Sequence, residues 1–134
     1  MAVIKREIRF IRADEDVVAA RRVVRELAVL VGFSLVDQTK VVTAASELAR
    51  NALKHGGGGK LTASALNDDT RRGLRLIFED QGPGIADVQL AMKDGYTSGG
   101  GLGLGLGGAK RLSNEFEIES TPGAGTRVTI ARWK

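Results

Sequence analysis

Residues 98–108 read SGGGLGLGLGG, seven glycines in eleven positions, with leucines at 102, 104 and 106. Glycine inside an element costs roughly 0.5–1 kcal/mol relative to alanine, so a run this bare weakens any regular structure it enters. Four readings compete: a linker, a close helix contact, a dinucleotide-binding loop and a lid over nucleotide phosphates. A linker would leave the three leucines in water. Gly103–Gly108 has the form GxGxxG, but that fingerprint needs a preceding strand, and KDGYTSGG at 93–100 carries no strand signal. The phosphate-loop pattern GxxxxGK[ST] fails as well, because Lys110 lies two beyond Gly108 and is followed by Arg111. What survives is a glycine-rich lid that becomes a helix N-terminus. Its bare amides and the positive helix end would face phosphate oxygens.

The flanks of this stretch set the fold class. Downstream, a short helix is expected from near Gly103 to about Ser113. Glu115–Ser120 and Thr126–Arg132 then alternate as two strands around TPGAG at 121–125, which is strong turn chemistry. Upstream, Lys60–Leu66 and Gly73–Glu79 read as strands joined by the polar turn NDDTRR.

Further upstream, the tetraglycine Gly56–Gly59 stops a helix that Ser34 or Asp37 opens and that runs to about His55. That helix carries Val41, Val42, Ala45, Leu48, Ala49, Ala52 and Leu53. An earlier helix, capped by Asp14 or Asp16 and ended by Gly32, lines up Val17, Val24, Leu27 and Val31 against Arg21, Arg22 and Arg25. KREIRFIR at 5–12 alternates with period two, as a half-buried strand does. The order strand, two helices, two strands, lid, helix, two strands predicts a two-layer α/β sandwich. Its sheet is mixed but mostly antiparallel, with about five strands and helices on one face. Residues 1–134 read as one domain.

Composition removes several classes. There is no cysteine, which excludes disulfides and thiolate metal sites. The amino terminus is charged within five residues, and no apolar run reaches the roughly 18 residues of a membrane helix, so a cytoplasmic protein is expected. The net charge of +4 is spread from Lys5 to Lys134 without a block, and aromatics are only 4%. That suits an acidic partner or ligand better than nucleic acid, whose single strands want stacking platforms.

Two short groups carry chemistry beside the lid. In ELARNALKH (47–55), Glu47 and Asn51 fall one turn apart on one helix face, with Lys54 and His55 a turn further on. A carboxylate and a carboxamide so placed suit proton acceptance and a hard cation, although an ordinary polar helix face looks the same. In EDQGPGI (79–85), Asp80 ends a strand ahead of two glycines around a proline. A short acidic side chain there, with a bound water, is suited to the exocyclic amine of adenine, although a simple turn has the same residues.

Taken in order, ELARNALKH, DQGPG, GGGLGLGL and AGT at 124–126 resemble the four boxes of the GHKL superfamily (gyrase, heat-shock chaperone, histidine kinase and mismatch-repair ATPases) over nearly the whole chain. The resemblance implies the Bergerat ATP-binding fold with ATP and Mg2+ between helical layer and lid. It implies that Asn51 holds magnesium, that Asp80 reads adenine above Gly82 and Gly84, and that Thr126 lies near the base. The lid residues Gly101, Leu102, Gly103, Leu104 and Gly105 then meet the phosphates, with Lys54 as a further phosphate contact and Lys93 a candidate cover for the γ-phosphate.

Glu47 points to a branch. Histidine kinases typically carry asparagine at that place, since an imidazole attacks without first losing a proton, whereas a hydroxyl or water nucleophile benefits from a base. The one histidine, His55, sits at a helix end and is not expected to be an autophosphorylation site. With Glu47 as catalytic residue the chain is similar to the RsbT-type serine/threonine kinases of anti-sigma regulation. That resemblance implies STAS-domain substrates of a stressosome scaffold and a regulatory serine phosphatase activated on release. An anti-sigma factor that sequesters its partner and a plain ATPase are the rival readings; oligomeric state is left open.

Overall fold

The computed structural model describes residues 2–82, 84, 92 and 105–134. Eight elements follow in order: β1 (Ala2–Ile11), α1 (Asp14–Leu30), α2 (Leu35–Gly56), β2 (Gly59–Asn67), β3 (Arg72–Asp80), α3 (Gly105–Arg111), β4 (Glu115–Thr121) and β5 (Gly125–Trp133). The strands form one sheet in the order β1-β2-β3-β5-β4, and all four neighbour pairs are antiparallel. The helical crossover from β3 to β4 makes those two strands run the same way, which is the source of the expected mixed character. The β4–β5 hairpin folds back so that β5 takes the slot between them, and no parallel pair forms.

Helix ends follow local chemistry. Ser34, not Asp37, is the N-cap of α2, its hydroxyl accepting from Asp37 N–H at 3.1 Å. In α1 neither aspartate is the N-cap. Ala13 holds that place, and Asp16 reaches back from the third helical position to accept from the amides of Arg12 (2.9 Å) and Ala13 (3.0 Å). The helix ends at Leu30, with Gly32 at φ +86° letting the chain turn.

The core lies between the helices and one sheet face. Leu61, Ala63 and Ala65 of β2, Leu74, Leu76 and Phe78 of β3, and Val128 and Ile130 of β5 meet Val17, Val24, Leu27, Val41, Ala45, Leu48 and Ala49. Stripping one such leucine to alanine typically costs 2–5 kcal/mol. The sheet's other face has no helix among the described residues.

β1 uses its alternation against expectation. Glu7 and Arg9 stand opposite Ala63 and Leu61, on the helix side, while Ile8 (47% exposed) and Phe10 (54%) point to the open face. β1 is an edge strand, so the helix-side rim there is solvated, and Glu7 pairs with Arg9 (3.0 Å) and Lys5 (3.6 Å). Only Ile11 of this strand enters the core.

Arg132 on β5 ties three elements together. It donates to the Leu112 carbonyl just beyond α3 at 2.8 Å and to Asp37 Oδ1 in the first turn of α2 at 2.7 Å. The guanidinium holds the Asp37 carboxyl below its ordinary range, chiefly through that hydrogen bond. Among the described residues no helix is long and apolar enough to cross a membrane.

Candidate functional site

The C-terminal half of α2 and the adjoining ends of β3 and β5 converge on one rim of the sandwich. α2 presents Glu47 and Asn51 one turn apart. Glu47 is a carboxylate only 5% exposed, on a stretch otherwise lined by Ala44, Ala45, Leu48 and Ala49. Its Oε1 accepts from Arg50 Nη1 at 3.0 Å, and Arg50 Nη2 donates to Ser46 Oγ at 3.3 Å. Asn51 is half-buried, whereas Lys54 and His55 in the last turn are exposed and engaged in contacts of their own.

Asp80 is the last residue of β3, and the antiparallel register places it across from Gly59 on one side and Thr126 on the other. Its Oδ1 accepts from Gly82 N–H at 3.0 Å, which turns the chain immediately after the strand. Thr126 Oγ1 lies 2.9 Å from Ser120 Oγ, so the hairpin side of the rim is also hydrogen-bonded. A shallow notch of about 220 Å³ opens beside Asp80 and Thr126. Glu79, Arg127 and Glu119 also line it, in one register row on the open face of the sheet, opposite to the face that Asp80 and Thr126 share.

Backbone closeness joins the two halves. A Cβ on Gly82 would stand 2.6 Å from Gly56 Cα and 2.9 Å from the His55 carbonyl oxygen. One on Gly56 would collide with the Asp80 side chain itself. The end of α2 and the end of β3 therefore touch only because both residues lack side chains. Gly84 takes φ +78°, where a Cβ would strike the Thr121 carbonyl, so this glycine is required by both conformation and space.

Of the residues anticipated from sequence, Asp80, Gly82, Gly84 and Thr126 adjoin one another at the ends of β3, β4 and β5, and the end of the helix that carries Glu47, Asn51 and Lys54 packs against Asp80 and Gly82. Gly105 opens α3 at φ +56°, and Leu106 and Ala109 bury that helix among the core residues, where α3 contacts α2. Gly101, Leu102, Gly103 and Leu104, with Lys93, lie outside the described residues. Sequence reasoning passed over two residues. Arg50 stood inside the quoted ELARNALKH, three positions after Glu47, which is the spacing of a helical ion pair. Gly56 was read only as a helix stop, although four consecutive glycines are more than one left-handed cap needs. Gly57, at φ +71°, is that cap.

Among the described residues no cluster of three or more His, Asp or Glu side chains is placed to hold a metal. The donor set at this rim is one carboxamide oxygen near one carboxylate. That suits magnesium, which commonly takes one or two protein ligands and completes its shell with phosphates and water.

Known proteins resemble this chain over most of its length. The family described as histidine kinase-, DNA gyrase B-, and HSP90-like ATPase matches residues 36–134. The serine/threonine-protein kinase RsbT of Bacillus subtilis (strain 168) is 45% identical over 123 residues, covering 92% of this chain and 92% of its own length. An anti-sigma F factor of Clostridium acetobutylicum is 31% identical over 96% of this chain and 92% of its own length. Another, from Thermoanaerobacter sp. (strain X514), is 29% identical over 95% of this chain and 92% of its own.

Proposed function

The chain belongs to the histidine kinase-, DNA gyrase B- and HSP90-like ATPases, and from that premise we propose that it is a protein kinase moving the γ-phosphoryl group of ATP to a serine or threonine. The observation that carries this reading is Glu47, a buried carboxylate one turn from Asn51 on the helix whose last residue, Gly56, packs against Asp80. A base there serves a hydroxyl or a water nucleophile alike, and the 45% identity to RsbT favours the hydroxyl.

The roles follow from position. Asp80 reads the adenine edge, with Gly82 and Gly84 letting the base approach the backbone and Thr126 beside it. The lid glycines Gly101, Gly103 and Gly105, with Leu102 and Leu104 between them, offer amides to the phosphates, and Lys54 adds a cation. Asn51 would supply a magnesium ligand, and the ion, when bound, neutralises phosphate charge during transfer. The acceptor Oγ forms a bond to the γ-phosphorus as the bond from that phosphorus to the β–γ bridging oxygen breaks. ADP departs and the hydroxyl proton passes to Glu47.

On the same reading the acceptor belongs to a STAS-domain scaffold protein, and the released kinase engages a regulatory serine phosphatase, in the cytoplasm where ATP is abundant. The 45% identity to RsbT supports the kinase, and the 29–31% identity to anti-sigma F factors keeps a partner-sequestering module as the second reading.

One assay separates them. The protein is mixed with Mg-ATP labelled at the γ-phosphate and with a STAS-domain protein chosen from among the neighbouring genes. Acid-stable label on the STAS protein, abolished by Asn51→Ala, is the expected result. No transfer, with nucleotide-dependent binding to a sigma factor instead, would establish the sequestering module.

A further inference from the structure

The one ion pair made by Glu47 among the described residues has a geometry that a simple helix-stabilising pair does not require. Exposed i,i+3 pairs contribute a few tenths of a kcal/mol and seldom hold one arrangement. Here the side chain of Glu47 is 6% exposed and that of Arg50 30%, so the carboxylate is the deeper partner of the pair. A buried ion pair is also poor evidence for stability, because well-packed apolar residues usually replace one without loss. This stretch of α2 already carries alanine and leucine at its other buried positions, so a carboxylate there needs another reason to persist.

The guanidinium is fixed at two points on the preceding turn, Glu47 Oε1 at 3.0 Å and Ser46 Oγ at 3.3 Å. Two anchors use the planar fork of arginine, which a lysine ammonium cannot reproduce. The grip engages one carboxylate oxygen. Glu47 Oε2 receives no hydrogen bond within the described residues and is the oxygen left to take a hydroxyl proton.

We propose that Arg50 is a positioning residue for phosphoryl transfer: anchored on Ser46, it holds Glu47 by Oε1 and so aims Oε2 at the acceptor hydroxyl. The inference rests on the reading of Glu47 as base given above. It adds that the base is oriented by a neighbour which itself touches neither ATP nor acceptor. A misplacement of a reacting group by about 1 Å can lower a rate on the order of a hundredfold, so loss of the grip is visible in turnover.

The test measures ATP affinity and transfer to the STAS-domain protein for the wild type, Arg50→Ala, Arg50→Lys, Glu47→Gln and the double variant Glu47→Gln with Arg50→Ala. Arg50→Ala is expected to lower kcat by about 10- to 100-fold while ATP affinity stays within about twofold, which also reports an intact fold. Arg50→Lys, keeping the charge and losing the Ser46 anchor, falls between. In the Glu47→Gln background Arg50→Ala costs about twofold or less, since there is no base left to aim.

Wild-type kcat for Arg50→Ala beside a slow Glu47→Gln overturns the inference alone. Losses that multiply in the double variant, or ATP affinity falling in step with kcat, place Arg50 on the nucleotide and overturn it too. Should Arg50→Ala not fold, Arg50→Lys at full kcat overturns it. A wild-type rate for Glu47→Gln removes the base itself, and with it the reading on which this one rests.

Discussion

The two ends of the rim are built from different materials. Around Asp80 the parts are held by strand register and by glycines through which backbone meets backbone: Gly59 and Thr126 flank the aspartate, and Gly56 and Gly82 touch. Around Glu47 the parts are side chains of a single helix, held by the Arg50–Ser46 grip. The first end tolerates no added atom and so confers shape, as a pocket for a flat base must. The second end is set by one charged contact, which a docking partner can meet or rearrange without moving the sheet. On the function proposed above, backbone packing shapes the base-binding end around the Asp80 side chain, and turnover is carried by side chains of α2.

That division makes its sharpest demand at the base-binding end. Asp80→Asn removes the carboxylate that would accept from an adenine amine and is expected to weaken ATP binding by about 100-fold, roughly 2.7 kcal/mol. The melting temperature without nucleotide should move little, because Asp80 lies at a strand end outside the core. Calorimetric titration with ATP checks the first and a melt checks the second. Full affinity in the variant would move the base elsewhere.

Glu47→Gln should do the opposite, leaving ATP affinity in place and slowing transfer by about 10²–10⁴-fold. Parallel titration and single-turnover labelling read the two quantities, and a loss of affinity would erase the contrast between the ends. Gly56→Ala sits at the joint. Alanine is the better helix former by about 1 kcal/mol, yet its methyl meets the Asp80 side chain. Weaker ATP binding, by about tenfold, with helix content unchanged is the expected result, read by titration and far-ultraviolet circular dichroism. Unaltered binding would mean that Asp80 has room to move aside.

The smallest effect lies away from the rim. Asp37 is held by Arg132, and its carboxyl titrates below the ordinary value of 3.8. A group whose folded pKa is depressed stabilises the fold above its unfolded pKa and loses that contribution as pH falls through the folded one. Stability should therefore be flat in this respect above about pH 5 and decline below about pH 4. In Asp37→Asn that part of the decline disappears, by a few tenths of a kcal/mol for a pair that is only partly buried. Urea midpoints across pH 3–6 measure it. An unchanged acid slope would remove Asp37 from the account.

Legibility in the sequence divided along similar lines. The stripes Val17, Val24 and Leu27 on α1 with Val31 at its C-cap, and Val41, Val42, Ala45, Leu48, Ala49 and Ala52 on α2, are buried as periodicity required, because a helix that packs on a sheet has one way to hide them. The β1 stretch was different. Its alternation identifies a strand but not which half is covered, and in this edge strand Ile8 and Phe10 are exposed while its charges stand on the helix side. Arg50 was equally invisible in role. Spacing permits the pair with Glu47, whereas only burial makes it matter.

By itself the sequence determined the order of elements, the faces the two long helices bury and the placement of the chemistry-bearing residues at helix and strand ends. These depend on contacts between near neighbours in the chain. Tertiary structure alone decided that β5 slips between β3 and β4, that Gly56 meets Asp80 across the end of the sheet, and that Glu47 is largely buried beside Arg50. Each of these depends on what lies across the layer, and solvent exclusion is a property of the assembled fold that no local pattern of residues contains.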